Sequence, residues 1–162
     1  MPKGKGKGDG TSTPSAFSAF RNAGQAQPLT ADVFTKVIYP SEQYDLNNEY
    51  NPATGNFIPK QTGIYTLIAS IEFLPAPLTV DPNTLALLIR VNDTVVAQEF
   101  LRISGEGLIT VSTVHQLQAG NTVEVLARSF RNGNINGITA GGIPAGGPAQ
   151  TRFEGTLIRQ IG

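Results

Sequence analysis

Residues able to do chemistry are sparse in this 162-residue chain, and their spacing limits what they can do. His115 is the only histidine and cysteine is absent, so no His–His metal pair, thiolate site, disulfide or cysteine nucleophile can be assembled. A Ser-His-Asp triad would have to recruit His115, and no Gly-x-Ser-x-Gly elbow occurs to present the serine. Paired carboxylates could serve glycoside hydrolysis. Glu42, Asp45 and Glu49 are close in sequence, but in a polar stretch that reads as a connecting loop of solvated side chains. Asp32, Asp45, Asp81 and Asp93 carry the hard oxygens that calcium takes, without a spacing that makes a site. Gly4, Gly6, Gly8 and Gly10 follow no strand and lead to no Lys-Ser/Thr, so they cradle no phosphate. The residues point away from an enzyme.

Composition narrows the partners. Lys+Arg and Asp+Glu both number 12, a balance unlike the clustered basic footprint of nucleic-acid binding. No segment approaches the ~18 consecutive apolar residues of a membrane span, so no membrane insertion is expected. The opening Met1–Gly8 is charged but has no apolar region behind it, and a conventional secretory signal is not read there. With 18 Gly and 11 Pro the chain suits a many-turned β protein rather than a helical bundle.

The elements that must position these side chains are strands. Residues 1–15 alternate Gly and Lys and then turn polar, which predicts a flexible tail ahead of one domain over 16–162. Lys3, Lys5 and Lys7 make it either an attachment arm for an anionic surface or a solubilising leader. Order begins at Ala16-Phe17-Ser18-Ala19-Phe20, and a second strand is expected over Val33–Tyr39, ended by Pro40. The centre of the chain is Tyr50–Phe73. Asn51-Pro52-Ala53-Thr54-Gly55 reads as a tight turn, Asn56-Phe57-Ile58 as a short strand stopped by Pro59, and Gly63 as the start of a long strand. Tyr65, Leu67, Ala69, Ile71 and Phe73 share one face of it; Ile64, Thr66, Ile68, Ser70 and Glu72 share the other. Further alternation follows over Leu85–Val91, Val95–Glu99, Leu108–Leu117 and Val123–Ala127, with Asn92-Asp93 as a hairpin turn. Residues 132–149 form a Gly-rich stretch too long for a tight hairpin.

Tyr50, Thr54, Gly55, Phe57, Pro59, Gly63 and Tyr65 stand in a spacing that resembles the central signature of the globular head of complement component 1q, a family related in fold to tumour necrosis factor. Phe17 in its Ala-Phe-Ser-Ala segment, Leu117 with Gly120, and Phe153 with Gly155 extend the resemblance over about residues 16–162. Asn121, Glu154 and Thr156 depart from the family pattern. The resemblance implies an all-β jelly-roll sandwich of about ten antiparallel strands that assembles as a trimer. It requires no cofactor, although calcium is allowed. It implies a head that binds glycan or protein ligands, or a structural coat protein whose trimers pack through the Lys-rich tail. Period-two Gly/Lys replaces a collagen stalk, and a bacterial cell or spore surface is the expected location. Apolar Ile64, Ile68 and Leu88 lie opposite their strands' main apolar series, as if both faces were covered. In the family resembled, neighbouring subunits supply the second cover and the strand bearing Tyr65 and Leu67 lines the three-fold axis, so the resemblance implies a candidate trimer interface of Ile64, Tyr65, Leu67, Ile68 and His115. His115 shares its parity with Ile109, Val111 and Leu117, and is either a satisfied polar residue of the core or axis, or a pH-sensitive point between subunits.

Overall fold

Alternation of apolar and polar residues resolves into two antiparallel sheets in the computed structural model, which describes residues 12–22, 24–137 and 150–162. Among these residues there are thirteen strands and no helix. They run β1 Ala16–Phe20, β2 Gln27–Leu29, β3 Thr35–Lys36, β4 Ser41–Asp45, β5 Tyr50–Asn51, β6 Asn56–Phe57, β7 Gly63–Pro75, β8 Pro82–Val91, β9 Thr94–Ser104, β10 Gly107–Leu117, β11 Val123–Ser129, β12 Gly133–Asn136 and β13 Arg152–Gln160. The count exceeds the expected ten because several are pieces of two or three residues.

One sheet has the order β2-β12-β7-β13-β1-β4, with β10 on the remaining side of β7. The other runs β5-β6-β11-β8-β9, with β3 also paired to β11. These are called the first and second sheets. Strand β7 anchors the first. It pairs with β10 from Gly63 to Phe73, and with β13 and then β12 along its opposite edge.

The core forms where the two inner faces meet. Tyr65, Leu67, Ala69, Ile71 and Phe73 of β7 are fully buried, as the period-two pattern requires. They face Leu85, Leu87 and Ile89 of β8 and Val123, Val125 and Ala127 of β11 in one apolar cluster. Phe17 is the hub of its aromatic part. Its ring centroid lies 4.4 Å from Phe57, 5.2 Å from Tyr50 and 4.9 Å from Phe153, in stacked and edge-on arrangements. The three buried tyrosine hydroxyls find partners: Tyr50 donates to the Tyr39 carbonyl at 3.0 Å, Tyr65 to the Gln61 carbonyl at 2.7 Å and Tyr39 to the Ser70 carbonyl at 3.4 Å.

Two glycines of the central signature are explained by close approach. At Gly55, with φ of 71°, a Cβ would sit 2.8 Å from the Val37 carbonyl oxygen. At Gly63 a Cβ would collide with the Arg159 carbonyl where β13 pairs with β7 beyond its irregularity at Leu157–Arg159.

Several sequence expectations are corrected. Of Val33–Tyr39 only Thr35–Lys36 is strand; Val37 and Tyr39 are nevertheless fully buried. Ser41–Asp45, expected as loop, is the edge strand β4, and β2 was not anticipated. Strand β4 pairs through backbone while carrying polar side chains, and β2 is only three residues long with Pro28 at its centre, so neither shows apolar alternation. Ser15, assigned to the tail, is fully buried, and its carbonyl accepts the Leu157 N–H at 2.9 Å. The Gly-rich stretch begins with a strand, β12; its remainder from 138 to 149 lies outside the described residues, as do residues 1–11 of the tail.

Removing the Phe57 ring should open a cavity at the aromatic hub. Phe57→Ala is expected to lower the unfolding free energy by ~3–5 kcal/mol in urea denaturation. Thr54→Ala, at the exposed tip of the same signature, should change it by less than about 0.5 kcal/mol. Equal losses would show that the turn, rather than the ring cluster, carries the signature's stability.

Candidate functional site

The sequence signature itself is scaffold. Phe17, Tyr50, Gly55, Phe57, Pro59, Gly63, Tyr65, Leu117, Phe153 and Gly155 are all buried, and Gly120 shapes a turn at φ 87°. None presents a group to a ligand. Tyr65 and Leu67 must accordingly be withdrawn from the interface: within a single chain they have no surface to give. His115 lies directly opposite Tyr65 in the β7–β10 register, on the inward side of β10, and is only half-buried because β10 ends the first sheet. Leu88 is also covered within the chain, so it no longer calls for a neighbour.

The outward face of the first sheet has a different character. Ile64, Thr66 and Ile68 of β7 lie beside Gln116, Val114 and Ser112 of β10. Ile68 is 39% exposed, Val114 62% and Leu108 45%. Toward β1 and β4 the same face turns polar. Arg152 donates to Ser18 Oγ at 2.9 Å and to Gln43 Oε1 at 2.8 Å, and it pairs with Glu154 at 2.9 Å. Ser18 in turn donates to Glu154 at 2.8 Å. An apolar strip thus borders a fixed hydrogen-bonded network, the arrangement expected of an interface core with a polar margin.

Glu72 sits at the end of this face. It is 1% exposed and its Oε2 makes no hydrogen bond among the described residues. Burial, and then the neighbouring Glu106 charge, push its carboxyl up to about 7.

Seven of the other carboxylates are engaged: Glu49, Glu124, Glu154, Asp32, Asp45, Asp81 and Asp93. Glu49, expected in solvent, is buried and accepts from Ser15 Oγ at 2.5 Å and from the Lys60 N–H at 2.6 Å. Asp45 accepts the Glu49 and Tyr50 N–H groups at 2.7 and 2.8 Å. Asp32, Asp81 and Asp93 pair with Arg128, Arg131 and Arg90 respectively. Among the described residues no three metal-ligating side chains come together. On the outward face of the second sheet, burial would raise Glu124, but hydrogen bonds from Lys36 and Arg90 outweigh it and hold the carboxyl below its usual range. These carboxylates tie loops and sheets rather than form a catalytic pair.

At one end of the sandwich, a cleft of about 410 Å³ opens between the segment after β2, the β7–β8 connection and the residues after β11. Phe130, Pro75 and Pro77 supply apolar walls, and Asp81, Arg131 and Asn132 supply polar groups. The sequence signal for it was weak, since its residues come from three separate turns.

The fold and this distribution of surface define a β-sandwich head of the jelly-roll class, with its motif residues inside and its variable chemistry on outer faces and loop ends. The chain belongs to the C1q domain family, whose pattern it matches over residues 16–158. It is similar to the globular domain of zebrafish complement 1qA protein, with 18% identity over 91% of this chain and 99% of that one, at a TM-score of 0.58. It is also similar to Eiger TNF from S. frugiperda, with 14% identity over 92% and 95% of the two chains and a TM-score of 0.61. Murine APRIL at pH 5.0 matches at 10% identity over 90% and 100%, with a TM-score of 0.60. No curated protein matches the chain in sequence. At these identities the solved structures establish the shared fold.

Glu72 generates a pH prediction. Unfolded, the carboxyl ionises near its ordinary 4.5; folded, it does so at about 7. The native state therefore keeps a proton that the unfolded chain has lost between these values. Its contribution is complete below 4.5 and is lost as pH rises through about 7. Glu72→Gln should raise the melting temperature relative to the parent at about pH 8, with the gap closing toward pH 4. Parallel melting curves across this range would contradict the assignment.

Proposed function

We propose that this chain is a non-enzymatic recognition head that works as a homotrimer and meets its protein or glycan ligand at an outer surface, that of a bacterial cell or spore. The observation that carries the reading is the outward face of the first sheet. Ile68, Val114 and Leu108, with half-buried Ile64 beside them, stay exposed among the described residues, next to the fixed Arg152–Glu154–Ser18 network. Isolated exposed apolar residues are ordinary, but a strip spanning two paired strands is the surface a partner subunit would cover. Family membership supports self-association as the source of that cover. Three copies about one axis would present three identical loop ends, and multivalency would raise avidity for a repeated ligand.

The coat-protein alternative rests on Lys3, Lys5 and Lys7 of the tail. Binding that survives deletion of residues 1–15 supports the recognition head; a layer that assembles from the chain alone and is lost on that deletion supports the coat.

Light scattering tests the oligomer. The parent should measure three chain masses, with and without a calcium chelator. Ile68→Asp and Val114→Asp place a charge on the strip and should each shift the population to folded monomer. A parent that is a well-folded monomer, or variants that remain trimeric, would remove this face from the interface.

A further inference from the structure

The cleft at the loop end has the chemistry of a ligand site, and its parts are held in place independently of any ligand. Arg131 is fixed from two directions: its Nε donates to the Pro82 carbonyl at 3.2 Å and its guanidinium pairs with Asp81 at 3.4 Å. Asp81 is itself positioned by its own N–H, which donates to Thr79 Oγ1 at 3.1 Å. Asn132 accepts the Ala31 N–H on Oδ1 at 2.8 Å, which leaves its NH2 as a donor. Phe130 is 50% exposed, lines the cleft, and carries the Arg128 guanidinium 4.8 Å from its ring centre. Arg128 also lies 5.3 Å from the Phe34 ring and pairs with Asp32 at 3.3 Å.

Charge decides which ligand fits. The two cations beside the cleft are each paired, Arg131 with Asp81 and Arg128 with Asp32, so neither offers a free charge to a phosphate or a sulfate, and neither carboxylate offers one to an ammonium group. What is presented is a flat aromatic wall, two prolines, and closely spaced donors and acceptors. A neutral pyranose ring is complementary to this set. Its axial C–H groups pack on a phenyl face, and vicinal hydroxyls, each both donor and acceptor, can bridge a carboxylate and an adjacent guanidinium. A cleft of about 410 Å³ falls within the range of small-molecule sites, roughly 300–1,000 Å³. The broader groove of about 480 Å³ along Asn48–Lys60 is less suited. Its Asn51 caps the turn through the Ala53 N–H, Asn56 accepts from Lys36, and Lys60 donates to the Asn47 carbonyl.

We propose that the cleft walled by Phe130 and floored by Asp81, Arg131 and Asn132 binds a neutral hexopyranose unit of a glycan. This rests on the recognition-head reading and names its ligand class.

The test uses the whole chain and saturation-transfer NMR with the methyl glycosides of glucose, galactose, mannose and N-acetylglucosamine. At least one should show saturable transfer. Phe130→Ala and Asp81→Asn should each weaken it at least ~tenfold, about 1.4 kcal/mol. Phe100→Ala, which removes an exposed aromatic from the second sheet's outer face, should leave it unchanged. Asp81→Asn keeps the side-chain shape, and so tests the site even if Phe130→Ala disturbs the fold. Transfer that is undiminished in both variants would overturn the cleft assignment while leaving a recognition head intact. No transfer from any of the four glycosides would overturn the saccharide class. A tail-deleted chain that still binds a protein ligand would then preserve the recognition reading on its own.

Discussion

The ring cluster about Phe17 is the contact on which the rest of the structure depends. Phe17 comes from β1, Tyr50 and Phe57 from the short strands of the second sheet, and Phe153 from β13, so one side chain joins both sheets and both ends of the chain. Its neighbours are adapted to it. Gly155 lies on the Phe17 ring, where a Cβ would come within 2.5 Å of its edge, and Gly63 lets β13 pair closely with β7. Aromatic rings bury much area for few rotatable bonds, which makes them efficient organisers of a sandwich whose strands are otherwise distant in sequence.

Packing the motif inside has a functional consequence. The inner faces are consumed by the core, so interaction must use an outer sheet face, an edge or a loop end. The two outer faces differ. The first sheet shows the exposed Ile68 and Val114 on paired strands, whereas the second has Leu88 and Ala86 covered and Phe100 exposed on its edge strand, beside the Lys36–Glu124–Arg90 ion cluster. That difference, rather than any single residue, separates a face suited to a neighbouring subunit from one suited to solvent.

Several charges are used locally: in Arg128–Asp32, Arg131–Asp81 and Arg152–Glu154 a cation is answered by a neighbouring carboxylate. Exposed pairs of this kind add little stability, ~0–1 kcal/mol each. Their larger effect is to hold aromatic and amide groups in fixed orientations. Glu72 differs from these pairs: it is a buried carboxyl, and the charge that acts on it is that of another acid, Glu106.

What the sequence determined by itself was the inner architecture. Period-two alternation along β7, β8, β10 and β11, and the spacing from Tyr50 to Tyr65, were enough to identify the sandwich and its family resemblance, because burial of one strand face imposes that pattern directly. The polar edge strand β4 and the three-residue β2 left no such trace, since they join the sheet through backbone groups and are too polar or too short to show a period. Tertiary structure alone decided which parity of β7 turned inward, and so removed Tyr65 and Leu67 from the surface. It also decided that Glu49 is buried, and that Ala31, Asp81 and Phe130 share one cleft. Contacts between residues fifty apart depend on how the sheets are laid against each other, and no local pattern in the chain records that.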